Sequence, residues 1–269
     1  MNDPVAPQTA RALLRDLRSL ADVEAPARLG DATLVAVGLA DGYTQFQTPV
    51  GPLYVAYNLR GISAVTLSED DTAFERNFQE RFDRQARRVA ALPPALARPV
   101  EAAIRGERHA GLTFDLSSVS EFERKVLLKA LEIPRGEVRP YAWIAREIGH
   151  PKAVRAVGTA LAKNPIPLFI PCHRVVRSDG HLGRYSLGSD AMKGKLLAYE
   201  GLDPVEVETL AARGIRYVGS DTTHIYCFPT CHHAQRITSR HRIAFTSTDE
   251  AARAGYRPCS ACRPATAAS

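Results

Sequence analysis

The strongest constraint on this chain lies near its end. Four of its five cysteines, Cys227, Cys231, Cys259 and Cys262, fall in the last 43 of 269 residues, spaced C-x3-C, then 27 residues, then C-x2-C. Two short chelating turns at that spacing can close a tetrahedral thiolate site around Zn2+. So small a segment builds little core of its own, so the metal also serves as its staple. His224, His232, His233 and His241 stand nearby as substitutes, but four thiolates already fill the shell. An odd cysteine total clustered in this way argues against a disulfide framework and for a metal site plus one separate thiol, Cys172.

The remainder reads as globular. Hydrophobic residues make up 45% and charged residues 24%, and no apolar run approaches the roughly 20 residues needed to cross a bilayer. The opening MNDPVAPQTARALLRDLRSL lacks the pattern of a secretory signal, so a cytoplasmic protein is expected. A formal charge of +6 is compatible with a polyanionic partner, although a solvated basic surface has the same composition.

Leu13, Leu14, Leu17 and Leu20 recur at helical spacing and predict an amphipathic N-terminal helix. From Thr33 to Leu67, the runs TLVAVGL, YTQFQT, PLYVAYN and ISAVTL are separated by turn residues and predict an antiparallel meander. With the helical text after Leu67, residues up to about 110 form an α/β unit without catalytic signals. Ser120 and Glu123 match a capping box, opening a helix with Phe122, Val126 and Ala130 on one stripe. YAWIAREIG and PKAVRAVGTALAKNP then predict two helices joined by a tight turn, with Pro151 in the first turn of the second. The pair is either a DNA-reading helix-turn-helix or two core helices meeting at an angle. Small residues Ala153, Ala156, Gly158 and Ala160 surround the single long cation Arg155.

Cys172 sits in IPCHRVV, beside His173 and Arg174. A thiol becomes a nucleophile when a base or positive field favours the thiolate. Because adjacent side chains point to different sides, His173 would act on Cys172 through a bridging water, with a carboxylate from elsewhere fixing its tautomer.

The text NPIPLFIPCHRVVRSDGHLGRY, with the preceding PKAVRAVGTAL and IPRGEV, resembles the alkyl-acceptor domain of the O6-alkylguanine-DNA alkyltransferases. That resemblance implies Cys172 as acceptor thiol, His173 as base through water, and Glu200 in K-x-x-L-L-x-x-E as the orienting carboxylate. It implies Asn164 as brace of the active-site turn and Tyr141 beside the flipped base. Arg155 becomes the finger that fills the gap in the stack, and Tyr185 and Ser186 the loop over the guanine. The thioether product is stable and no second nucleophile is evident, so the protein would act once, as a monomer on double-stranded DNA.

DTTHIYCFPTC and FTSTDEAARAGYRPCSACRP resemble the metal-binding domain of the Ada adaptive-response proteins. This implies that zinc-bound Cys227 accepts a methyl group from a backbone methyl phosphotriester, with Arg257 on the DNA. From Thr223 onward six arginines face two acidic residues. No organic cofactor is expected.

Together the two resemblances imply an α+β chain. After a helical extension (1–30) come an N-terminal α/β, ribonuclease H-like domain (31–110) and a helical, winged-helix-like acceptor domain (111–203). A linker (204–217) and a small zinc domain (218–269) complete the chain. The alternative is a damage sensor or DNA-binding factor whose zinc module is only structural.

Overall fold

The computed structural model describes residues 27–48, 51–106, 111–185 and 190–264. The leucine-patterned helix of residues 9–20 and the loop residue Ser186 lie outside them.

Strands β1 (Asp41–Thr48), β2 (Gly51–Asn58) and β3 (Gly61–Leu67) form the expected antiparallel meander, and β4 (Ala86–Arg88) adds in parallel to β1, giving the order β3-β2-β1-β4. Strand β2 is central and its run Leu53 to Tyr57 is buried throughout. Alternate side chains of a strand face opposite ways. Tyr54 and Ala56 accordingly pack with Phe74 and Phe78 of helix α2 (Asp71–Phe82), while Leu53, Val55 and Tyr57 join the core of the acceptor region. One expected strand is a helix: the TLVAVGL run lies largely within α1 (Ala27–Ala36). Its β-rich stretch continues an upstream Ala-Arg-Leu-Gly-Asp segment, and tertiary context overrides the weak β propensity.

The sheet is welded to the segment that enters the acceptor region. Ile62 N donates to Thr113 O at 2.9 Å and Asp115 N to Ile62 O at 2.7 Å. The approach is so close that a Cβ on Gly61, at φ +128°, would lie 2.3 Å from Thr113 O. After α3 (Pro94–Ile104), helix α4 (Glu121–Leu131) begins with the expected capping box and buries Val126, Leu127 and Ala130, with Phe122 half-buried.

A short strand β5 (Arg139–Pro140) leads into α5 (Tyr141–Glu147) and then α6 (Val154–Ala162). Helix α6 starts at Val154, so Pro151 lies in the connecting turn rather than in its first helical turn. Val157, Ala160 and Leu161 are buried, whereas Arg155, Ala156 and Thr159 are exposed. The small-residue surface is therefore divided, Ala160 inward and Ala156 outward. Strand β6 (Val175–Val176) pairs with β5 in parallel, Arg139 opposite Val175 and Pro140 opposite Val176.

Helix α7 (Asp190–Tyr199) precedes helix α8 (Pro204–Ala212), and α8 occupies most of the stretch expected to be a linker. Asp203 caps α8 through a hydrogen bond from Val205 N at 2.8 Å, and Pro204 takes the first-turn position. The terminal module is a second sheet, order β10-β8-β7-β9, from β7 (Tyr217–Ser220), β8 (Ile225–Cys227), β9 (Arg242–Phe245) and β10 (Arg257–Pro258), with short helices α9 (His232–Gln235) and α10 (Thr248–Arg253). Its cysteines and Phe228 belong to the same buried cluster as the acceptor helices.

Candidate acceptor thiols and metal centre

Cys172 opens a single 3-10 turn, Cys172–Arg174, at the end of a constrained loop. Leu168 in that loop has φ 74°, a conformation rare outside glycine and stable only where surroundings enforce it. Asn164 supplies the enforcement: its Oδ1 accepts from Ile166 N at 3.0 Å and its Nδ2 donates to Ile170 O at 2.9 Å and to Cys172 Sγ at 3.3 Å. The N-terminal unit holds the residues on either side of Asn164, through Val65 N of β3 to Pro165 O and Arg81 Nη2 of α2 to Lys163 O.

The thiol faces a cavity of about 290 Å³ lined by Tyr141, Gly158, Leu161, Ala162, Cys172, Arg184 and Tyr185. Burial pushes the Cys172 thiol up, opposed by hydrogen bonds from Asn164 and Tyr185 and by the charge of Lys193. Both tyrosine hydroxyls are pushed up by burial and by the sulfur, so they stay protonated donors.

His173 turns the other way. Its Nε2 lies 2.8 Å from Glu200 Oε1. Burial would raise the Glu200 carboxyl, but hydrogen bonds and charge from His173 and Arg174 outweigh it and hold it at about 2. Burial likewise lowers His173 below its ordinary value despite that carboxylate. A neutral imidazole beside an ionised, acceptor-only carboxylate must donate through Nε2, which leaves the Nδ1 lone pair as its base. Nδ1 is buried and has no partner among the described residues.

Two contributors carry no signal of their role in the sequence alone. Arg174 clamps Glu200 through Nε at 2.9 Å and Nη2 at 2.7 Å, and ties it to Ile133 O through Nη1 at 2.7 Å. Lys193, fully buried, donates to Val175 O at 2.6 Å and Leu182 O at 2.5 Å, fastening the strand after the thiol turn to the loop that carries Tyr185. Lys193 opens the K-x-x-L-L-x-x-E pattern and Arg174 adjoins His173, so both are visible as letters without visible partners.

Arg155 is exposed on α6 and its side chain makes no hydrogen bond or ion pair among the described residues. It stands at the end of the helix opposite Leu161 and Ala162, which line the thiol cavity.

The four terminal cysteines are brought together: their Sγ atoms all lie within 4.8 Å of one another and all four residues are buried. Tetrahedral Zn2+ with bonds of about 2.3 Å requires sulfurs about 3.8 Å apart, so the donor set fits zinc. Four sulfurs so close together repel one another as anions, so a divalent cation is what would hold all four as thiolates. Cys227 and Cys259 border a cavity of about 510 Å³ that also carries Arg236, Arg257, His233 and His241.

Comparison with known proteins yields the same two-part division. Residues 121–202 match the family model described as 6-O-methylguanine DNA methyltransferase, DNA binding domain, and residues 206–265 match the metal binding domain of Ada. A methylated-DNA–protein-cysteine methyltransferase of Methanosarcina acetivorans is 36% identical over 166 residues, 59% of this chain and 97% of that protein. A namesake from Rattus norvegicus is 46% identical over 100 residues, 37% of this chain and 46% of the rat protein, so the match spans less than half of that relative. The crystal structure of the Mycobacterium tuberculosis O6-methylguanine methyltransferase aligns at a TM-score of 0.49 and 31% identity, covering 60% of this chain and 92% of that one. The chain belongs to the methylated-DNA–protein-cysteine methyltransferase family. Its terminal part is similar to the Ada metal-binding domain, whose match begins at residue 206, inside the stretch expected to be a linker.

Proposed function

We propose that this protein repairs DNA by transferring an alkyl group, directly and once per molecule, from O6 of guanine to Cys172. The observation that carries the reading is the buried thiol facing a cavity walled by two protonated tyrosines, with a His173–Glu200 pair behind it.

An alkylated base inside a duplex is out of reach of a buried sulfur and must leave the stack, at a cost of a few kcal/mol. Arg155, exposed on α6, takes its place, and the base enters the cavity beside Tyr141 with Tyr185 and Ser186 closing over it. The thiol proton passes to His173 Nδ1 through a bridging water, Glu200 stabilising the resulting imidazolium. The sulfur then attacks the alkyl carbon, the carbon–O6 bond breaks, and its electron pair stays on the guanine. A tyrosine hydroxyl donates to the base as charge builds. Asn164 and Arg174 hold the geometry. The thioether has no route back, so one chain serves one lesion.

In the terminal module, Cys227, Cys231, Cys259 and Cys262 would hold Zn2+, which keeps their sulfurs thiolate. Cys227 is proposed to take a methyl group from a backbone phosphotriester, with Arg257 and Arg236 on neighbouring phosphates. The chain is read as a monomer of the cytoplasm, associated with the nucleoid when on DNA. Its α/β unit (31–110) is taken as ribonuclease H-like and its acceptor unit (111–203) as winged-helix-like. No helix among the described residues is long and apolar enough to cross a membrane.

The test is mass spectrometry after incubation with two duplexes, one carrying only O6-methylguanine and one only methyl phosphotriesters. One methyl on Cys172 from the first and one on Cys227 from the second are expected. Cys172 unmodified by the first removes the guanine reading. Cys227 unmodified by the second, with zinc retained, makes the module a structural tether.

A further inference from the structure

Both chelating turns of the terminal module are gripped by the segment that frames Cys172. On one side, buried Glu137 accepts from His232 N at 3.1 Å and lies 2.9 Å from His232 Nδ1, next to the ligand Cys231. Val138 N donates to Thr230 Oγ1 at 2.9 Å, one residue on the other side of Cys231. Arg139, buried and ion-paired with Glu137, lies over the Phe228 ring at 5.2 Å. On the other side, Trp143 Nε1 donates to the backbone carbonyl of the ligand Cys262 at 3.0 Å, and Arg146 Nη2 donates to Arg263 O at 2.5 Å.

The gripping residues are not remote from the thiol. Arg139 is paired with Val175, the residue directly after the Cys172–Arg174 turn. Trp143 sits two residues along α5 from Tyr141, which lines the thiol cavity. Two short physical routes thus join the metal turns to the guanine site, one through the β5–β6 ladder and one through the first turn of α5.

We infer that the metal-loaded terminal module is a brace of the guanine site: Glu137 and Trp143 are positioning residues, and occupation of the four thiolates sets the geometry at Cys172. The physical reason is that a chelated turn has one conformation, whereas four unligated thiols leave the turns free to relax and release their hold on β5 and α5. Energetic coupling needs an element both sites bias, and the segment Glu137 to Trp143 is that element. The inference rests on the proposed reaction of Cys172 only for its kinetic readout.

Trp143 is the sole tryptophan, so tryptophan emission comes from this position alone, where the indole meets the Cys262 carbonyl and the Arg139 and Arg263 guanidinium groups. The full chain is stripped of metal with a chelator and refilled with Zn2+, while Trp143 emission and amide exchange over Tyr141–Glu147 are followed. A reversible emission change with faster exchange in α5 is expected. In the zinc-loaded protein, Glu137→Gln and Trp143→Phe should retain one zinc per chain yet alkylate Cys172 with free O6-alkylguanine base about tenfold more slowly. The free base removes DNA binding from the comparison. Unchanged emission and exchange on stripping, or parental rates in both zinc-loaded variants, overturns the inference. A parent protein whose Cys172 takes no alkyl group overturns the functional reading instead, and the emission and exchange measurements still decide the coupling.

Discussion

At the scale of single residues, the site is governed by which groups burial forces to be neutral. Cys172 is raised by burial and His173 is lowered by it, so the resting pair is thiol and neutral imidazole. Transfer moves a proton only within this resting pair, so the rate with free O6-alkylguanine should be level through roughly pH 7 to 9 and should fall only below the ordinary imidazole range, where His173 takes up a proton. His173→Gln should slow transfer by roughly 100-fold, the usual scale for a lost general base, in single-turnover kinetics. Glu200 yields a stability prediction. Its folded value of about 2 lies below the ordinary 4.5, so the stability it contributes is complete above 4.5 and is lost as pH falls towards 2. That contribution is roughly 3 kcal/mol. Urea midpoints measured at both ends of this window should differ less in Glu200→Gln than in the parent.

At the scale of elements, α6 does two jobs with two faces. Val157, Ala160 and Leu161 point into the core, and Arg155 and Thr159 out of it. If Arg155 takes the place of the extruded nucleotide, Arg155→Ala should slow repair of a duplex lesion by about tenfold or more while leaving reaction with the free base near the parental rate. Equal losses on both substrates would remove that role. The N-cap of α4 is a separate, structural matter: Ser120→Ala breaks the reciprocal box and should cost about 1 kcal/mol in chemical denaturation without changing the rate at Cys172.

For the whole molecule, one buried cluster runs from the N-terminal sheet through the acceptor helices to the terminal cysteines. Such continuity predicts shared cooperativity, so the zinc-loaded chain should unfold in a single calorimetric transition. Glu137→Ala leaves buried Arg139 unpaired and removes the acceptor for His232, which should cost about 3–5 kcal/mol. It should also split that transition in two, the terminal module melting apart from the rest.

The chain's local letters already determined a good deal. Cysteine spacing determined the metal cluster, because chelating turns are short and their geometry is contained in a few residues. The capping box at Ser120 and the punctuation of the meander were legible for the same reason: each is a contact between near neighbours. Cys172, His173, Asn164 and Glu200 were named from a motif, and their assembly is a tertiary fact, since Glu200 lies 27 residues along the chain from the histidine it holds. Helix α8, in place of a linker, carries its own local start in Asp203 and Pro204. The parallel strand β4 and the helix α1 under a β-rich run were decided by partners distant in sequence. So were Lys193 and Arg174, because a charge is buried only where the fold supplies carbonyls or a carboxylate to receive it. The grip of Glu137 and Trp143 on the metal turns was likewise beyond local reading: nothing in the order of residues says that a carboxylate at 137 and an indole at 143 will meet turns about 90 to 120 positions later. Only close packing of two modules around one core brings them together.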